Sequence, residues 1–338
     1  MIPIVYLILI IPLEYILELY SKYELLFVRM SFKEEKDKKI QRRHRWLVIK
    51  VCKLSVHKVL FGLSYLFSKM ALEITEPMIL LAVRFSITFI ILNLLVLLKM
   101  IKLNLKGKNL LGPVLVGIVQ PVLYFVFENY GLKYTTTSFT GIVSSISPIF
   151  TTVLGVIFLK ERPNLKQWIC IVLSIAGVMM VSLGSTGGEN TAAGCVCLLT
   201  AYFLGGFYAI LIRKLSRQFS AFELTYVMFT VGFIFFAVMA FVQYGNGTVP
   251  MLVPAAGSWK FMLACLYLGG LSSVGAYMLA NYSLVHLPVS RATIFNSFST
   301  IVSVLSGVIL MHDPFTVVSA IAFLMILGGV IGVNRFAD

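Results

Sequence analysis

Ten unbroken apolar runs follow one another along the chain, each roughly 17 to 25 residues long, the length needed to cross a hydrocarbon layer of about 30 Å at 1.5 Å per residue. They fall at about Val51–Leu72, Pro77–Leu98, Leu110–Asn129, Ser138–Leu159 and Gln167–Leu183, then at Ala192–Ile212, Ala221–Gln243, Phe261–Tyr282, Ser290–Leu310 and Phe315–Val333. With 59% hydrophobic and 12% charged residues in 338, the chain carries far more apolar surface than one aqueous core of that length can bury. The solvent for these runs is lipid, and an isolated strand cannot satisfy its backbone there. No alternating pattern of about ten residues per pass is sustained, so helices and not a membrane barrel are expected. Connections are short, which leaves no room for a separate soluble domain.

The formal charge of +14 resembles that of nucleic-acid-binding chains, but its location excludes that partner. The bases sit between apolar runs: Lys33 to Lys50 before the first, then Lys99 to Lys108, Lys160 to Lys166, and Arg213 to Arg217. Intervening loops are poor in base. Cytoplasmic loops collect Lys and Arg, so both ends of the ten-helix body are expected in the cytoplasm and the membrane is expected to be the plasma membrane. The five cysteines lie in or beside apolar runs with no C-x-x-C pair and no histidine at metal spacing, and read as small packing residues.

Residues 1–50 form an extension. Its first part is apolar from Ile2 to Leu13, then places Glu14, Glu18 and Lys22 on one helical face, which suits an interfacial helix. A start at Met30, directly before the basic tail, is the alternative, and residues 1–29 are expected to be dispensable.

At one constant offset, Asn129-Tyr130-Gly131-Leu132 falls on Asn281-Tyr282-Ser283-Leu284, and the register holds for about fifty residues. It pairs Ser138 with Ser290, Ser145 with Ser297, Glu161 with Asp313, and Gly177-Val178 with Gly329-Val330. Two repeats, 51–184 and 190–334, are therefore expected. Each holds an odd number of spans, so the second enters the membrane from the opposite side. Inverted repeats of this kind build many secondary transporters, with a site near the midplane exposed alternately to each side.

Several motifs follow one another in a specific order and spacing. They are Phe61-Gly62-Leu63-Ser64 and Lys69 in the first span, Arg84-Phe85 in the second, and Tyr134-Thr135-Thr136 opening the fourth. Pro148, Glu161 and the Gly177 region complete the set. From about Trp46 to Asn334 the chain resembles the drug/metabolite transporter superfamily, in its EamA-like ten-helix members. The resemblance implies a carrier of metabolites or drugs, often an exporter of amino acids or related compounds, with a cavity lined partly by the fourth and ninth spans. Phe61 stands where that family often has Trp, and Glu128-Asn129 where it has small or apolar residues, so no single member's substrate transfers to this chain.

Ionisable groups at mid-membrane cost about 2.5 to 3.5 kcal/mol each, so those present need a reason. Gln120, Tyr124 and Glu128 follow at helical spacing on one face of the third span, with Gly117 and Pro121 permitting close approach or a kink. Their counterparts in the second half are Ser272, Ala276 and Ala280, so the polar stripe belongs to one half only. Gln120, Tyr124, Tyr202 and Asn296 are the expected substrate contacts and Glu128 the proton- or ion-coupling group. A solvated helix end is the plainer alternative for Glu128. Arg84 is expected to form a structural ion pair or to meet substrate charge. Lys69, His57, His286 and His312 are expected at membrane surfaces or in loops.

The expected function is secondary active export of a small metabolite, amino-acid-like compound or drug, coupled to a proton or to exchange. An organic-phosphate or nucleotide-sugar exchanger is the alternative, as is a non-transporting membrane scaffold. The chain has no G-x-x-x-x-G-K-[ST], H-E-x-x-H or G-x-S-x-G pattern, which argues against ATPase and intramembrane enzyme functions. No cofactor or metal is expected. The partners are a small-molecule substrate, lipid and a coupling proton, with monomer and homodimer both open.

Overall fold

The computed structural model of the protein describes residues 57–101, 103–159, 164–184, 190–245, 248–286 and 296–336. The extension 1–50, with the expectations attached to it, lies outside the described residues. What is described is helical, and a helix falls on each of the ten expected runs. These are α1 (57–72), α2 (Pro77–Leu97), α3 (Leu111–Lys133), α4 (Thr137–Phe158) and α5 (Leu165–Gly184). The second set is α6 (Ala192–Leu215), α7 (Ala221–Tyr244), α8 (Trp259–Val285), α9 (Asn296–Leu310) and α10 (Val317–Arg335), with a short helix Thr248–Gly257 before α8. Seven of them are long and apolar enough by themselves to cross a membrane. Ile90, Leu97, Ile169, Val238, Phe241 and Leu324 are among many large apolar side chains left open on the outside of the bundle. A belt of that extent is what lipid covers. The protein is an all-α, multi-pass membrane protein.

Contacts at the helix ends define two faces. Lys133 meets Glu76 at 2.6 Å, the Thr136 amide donates to Asn190 Oδ1 at 2.8 Å, and the Ser138 amide donates to Asp313 Oδ2 at 2.6 Å. These join the end of α3 to the starts of α2, α4, α6 and α10, here termed the far face. At the near face Lys108, before α3, meets Glu223 in the first turn of α7 at 2.8 Å, and Asn164 reaches the Phe336 carbonyl at 2.7 Å. Glu223 also completes a capping box with Ser220, which satisfies amides that the first turn of α7 would otherwise leave open. Far-face starts are capped likewise, α4 by Thr136 and α6 by Thr191.

The helices pack closely in pairs. Helix α2 packs on α7, α4 on α9 and α5 on α10; α3 packs on α7 as α8 packs on α2. Small residues make these approaches possible. A Cβ on Gly117 would meet Val231 Cβ on α7 at 2.8 Å, and one on Gly269, its counterpart at the repeat offset, would meet the Arg84 carbonyl on α2 at 2.8 Å. Between α1 and α9, a Cβ on Gly62 would lie 2.6 Å from the Ser299 carbonyl.

Both α3 and α8 lose regular α geometry partway along. In α3 the wider turns run Ile118–Leu123, where Pro121 supplies no amide and Gln120 has an extended backbone (φ −148, ψ 116). In α8 they run Tyr267–Ala276, which contains Gly269, Gly270 and Gly275. The repeat offset carries the first segment into the second. Helix α4 also breaks, between Thr137–Ser144 and Ser147–Leu159, with Pro148 placed where a proline is tolerated at the start of the second piece.

Candidate functional site: a central cavity between broken helices

The irregular segments of α3 and α8 face one cavity, which α1, α2, α4, α6 and α9 also line. The centre of a water-sized sphere can occupy about 160 Å³ of it. Its lining begins near the near face, at His57 and Lys58 on α1 and Ser283 and Leu284 on α8. Toward the far face it ends at Tyr65 on α1, Arg84 on α2, Glu128 on α3, Ser144 on α4 and Tyr202 on α6. Beyond that level the bundle is packed: Tyr202 donates to the Thr140 carbonyl at 3.2 Å, and a Cβ on Gly141 would touch Ser303 Oγ at 2.5 Å. Ser145 and Thr300 hydroxyls meet at 2.8 Å.

Gln120, Tyr124, Glu128, Tyr202 and Arg84 all line this cavity. The break in α3 has turned Gln120 out of regular helical register, yet it stays on the cavity wall with Tyr124 and Glu128. Its Nε2 donates to the Tyr277 hydroxyl, while Oε1 is buried with no partner among the described residues. Tyr124 donates to Glu128 Oε1 at 2.7 Å. Glu128 is only 7% exposed, so it is not a solvated helix end. Asn296 stands at the start of α9, but its side chain lies outside the described residues, as does Arg291.

Arg84 departs from one of its two expectations. It is 1% exposed, and no carboxylate lies within ion-pairing distance of it among the described residues. Its Nε donates to Ser273 Oγ at 3.0 Å, and the guanidinium carbon sits 4.2 Å from the Phe125 ring centroid. A structural ion pair is therefore not what holds it; a hydroxyl and an aromatic face do.

Of the residues expected at membrane surfaces, His57 is buried instead, while Lys69 lies at the far-face end of the bundle. His57 is 1% exposed and lines the cavity, edge-on to Phe61 at 5.8 Å. Lys69 donates to the Leu132 and Thr135 carbonyls at 3.1 and 2.5 Å, so it satisfies the far-face end of α3. Sequence reasoning also passed over Tyr65, although Phe61 and Tyr65 are one helical turn apart on α1 beside Ser64. Other aromatic rings pack against one another around the cavity: Tyr277 lies 4.9 Å from Phe61 and 6.1 Å from Phe125, and Tyr124 lies 5.1 Å from Phe125 and 6.4 Å from Tyr202, centroid to centroid. Among the described residues no three His, Cys, Asp or Glu side chains cluster as a metal site.

The cavity thus offers a carboxylate, a guanidinium, several phenols and stacking faces to something small. A crystal structure with 17% sequence identity shares the fold at a TM-score of 0.61, covering 84% of this chain and 96% of the other. An uncharacterized transporter of Bacillus subtilis, YcxC, is 33% identical over 282 residues, covering 82% of this chain and 90% of its own length. An uncharacterized transporter of Archaeoglobus fulgidus is 24% identical over 291 residues, covering 86% of this chain and 99% of the relative. The sequence pattern of the EamA-like transporter family matches residues 50–183 and again 192–335. With both halves matched in this way, the chain belongs to the EamA-like transporter family.

Proposed function

We propose that the protein is a secondary active transporter that exports a small metabolite, amino-acid-like compound or drug through the plasma membrane by alternating access. The observation that carries this reading is the cavity itself, which is walled by polar and aromatic groups at the level where α3 and α8 are both broken. Broken helices at the midplane expose backbone and polar side chains to a solute that the surrounding lipid could not solvate. In this reading the repeats 51–184 and 190–334 are inverted copies, with both ends of the ten-helix body cytoplasmic. The near face, which carries Lys99, Lys106, Lys108, Arg213 and Lys214, is then the cytoplasmic one. The present conformation, sealed toward the far face, is the inward-facing state.

Glu128 is the coupling group in this proposal, and Gln120, Tyr124 and Tyr202 contact the solute. The titratable and charged groups that share the cavity with Glu128 are Tyr124 on its own helix, Tyr65, His57 and Lys58 on α1, Arg84 on α2, Tyr202 and Tyr208 on α6 and Tyr277 on α8. A proton or the solute takes the carboxylate in turn, which links their movements. Organic-phosphate exchange is less well supported, because Arg84 and Lys58 are the cavity's only Arg or Lys side chains among the described residues. The test compares intracellular and medium metabolites of cells with and without the full chain. Export predicts solutes that are depleted inside and enriched outside when the chain is present. An unchanged profile under conditions where the protein is in the membrane favours a scaffold.

A further inference from the structure

Three features of the cavity bear on what it can hold. The first is Arg84. A buried guanidinium has five N–H donors in one plane, and among the described residues only Nε is taken, by Ser273. Stacking on Phe125 covers a face of that plane and leaves its edge for in-plane hydrogen bonds. Because Arg84 lines the cavity, that edge is available to whatever the cavity holds. The second is Ser272, next in the chain to the serine that fixes Arg84. Its side chain is 0% exposed, lines the same cavity, and its Oγ has no partner among the described residues. Ser272 is also the repeat counterpart of Gln120, whose Oε1 is left open in the same way. Buried polar groups are ordinarily satisfied, and a transport site is one place where they wait for a ligand.

The third feature is the charge count of the lining. Among the described residues Arg84 and Lys58 stand against Glu128 alone, one formal positive charge in excess with His57 neutral. One negative charge on the solute cancels that excess. A phosphate, which approaches two charges at neutral pH, overshoots it.

We propose that Arg84 and Ser272 form the anion-binding end of the central cavity, and that the group they take is the carboxylate of the transported solute. The planar fork of Arg84 matches the two oxygens of a carboxylate, and Ser272 supplies a third donor to one of them. Gln120 Oε1 and Glu128 accept hydrogen bonds from the solute's remaining donors. This inference rests on the transport reading above and adds the chemical class of the solute.

The experiment identifies the solutes whose export depends on the full chain and then measures their export by Arg84→Gln, Arg84→Lys and Ser272→Ala proteins at matched membrane levels. The expected result is a set of carboxylate-bearing solutes, with export reduced at least tenfold by Arg84→Gln and partly restored by Arg84→Lys. Ser272→Ala should raise KM several-fold with kcat retained, a split that a purely structural serine would not give. Dependent solutes consisting of amines, neutral compounds or phosphate esters overturn the anchor while leaving transport intact. Wild-type export by Arg84→Gln overturns it as well. Should both Arg84 variants fail to reach the membrane, the solute class and the Ser272→Ala kinetics decide. A profile with no dependent solute sinks the transport reading itself, and the anchor with it.

Discussion

The Tyr124 hydroxyl and Glu128 Oε1 lie 2.7 Å apart, one turn along α3, and both side chains are buried in the wall of the cavity. Tyr124 is the one hydrogen-bond partner of that carboxylate among the described residues, so the two act as a unit.

Glu128→Gln keeps the shape and the hydrogen bond but cannot titrate. Transport driven by a proton gradient is expected to fall by at least tenfold, while exchange of solute for solute survives. Proteoliposome flux measured across a range of pH checks this. A Glu128→Gln protein with wild-type rate and pH dependence would remove the carboxylate from the mechanism.

Tyr124→Phe removes only the hydroxyl and leaves Glu128 without its donor. Losing one partner of a buried charged group costs about 1.5 to 3 kcal/mol, or roughly 10- to 150-fold in an affinity that depends on it. Apparent solute affinity should weaken in that range at unchanged protein level, and the pH profile of transport should shift relative to wild type. A profile that superposes on wild type would separate the tyrosine from the carboxylate.

Gln120 and Tyr277 bridge the two halves by one side-chain hydrogen bond, from the broken turn of α3 to α8. Gln120→Ala is expected to weaken solute binding by about 1 to 3 kcal/mol, since the amide's other end also leaves the cavity. The double variant with Tyr277→Phe should lose less than the sum of the two single losses. Strict additivity in that cycle would show that the pair is not coupled.

Topology is open to labelling in a cysteine-free background. Cysteines replacing the exposed residues Glu73 and Lys260, at the far face, should react with an impermeant thiol reagent on intact cells. Cysteines replacing the exposed Lys106 and Lys214, at the near face, should react only after permeabilisation. The opposite pattern reverses the orientation and makes the present conformation outward-facing.

Gly269→Ala places a methyl group 2.8 Å from the Arg84 backbone carbonyl, which cannot rotate away as a side chain can. The α2–α8 contact should loosen, with a loss of about 1 to 3 kcal/mol of stability. A lower melting temperature in detergent is the expected readout, and an unchanged one would show that the two helices separate without penalty.

Hydropathy and charge alone determined that the chain crosses a membrane repeatedly, because lipid demands continuous apolar length and sorts basic loops to one side, and both demands act on local sequence. The offset between Asn129 and Asn281 made the duplication visible, since matching polar residues stand out against an apolar background. Helical spacing was also enough to bring Tyr124 and Glu128 to one wall, because neighbours a turn apart need no tertiary information, whereas Gln120 reaches that wall across the break in α3. What each of those groups meets was not written in any local pattern. The surface role expected of His57 and the ion pair expected of Arg84 failed for that reason: burial and pairing depend on what a neighbouring helix presents. Arg84 lies on α2 and its partners Phe125 and Ser273 on α3 and α8, three segments far apart in sequence. Only the packing of the helices, set by glycines such as Gly269 that let backbones approach, decided that these residues would share one cavity and leave Gln120 Oε1 and Ser272 Oγ without partners there among the described residues.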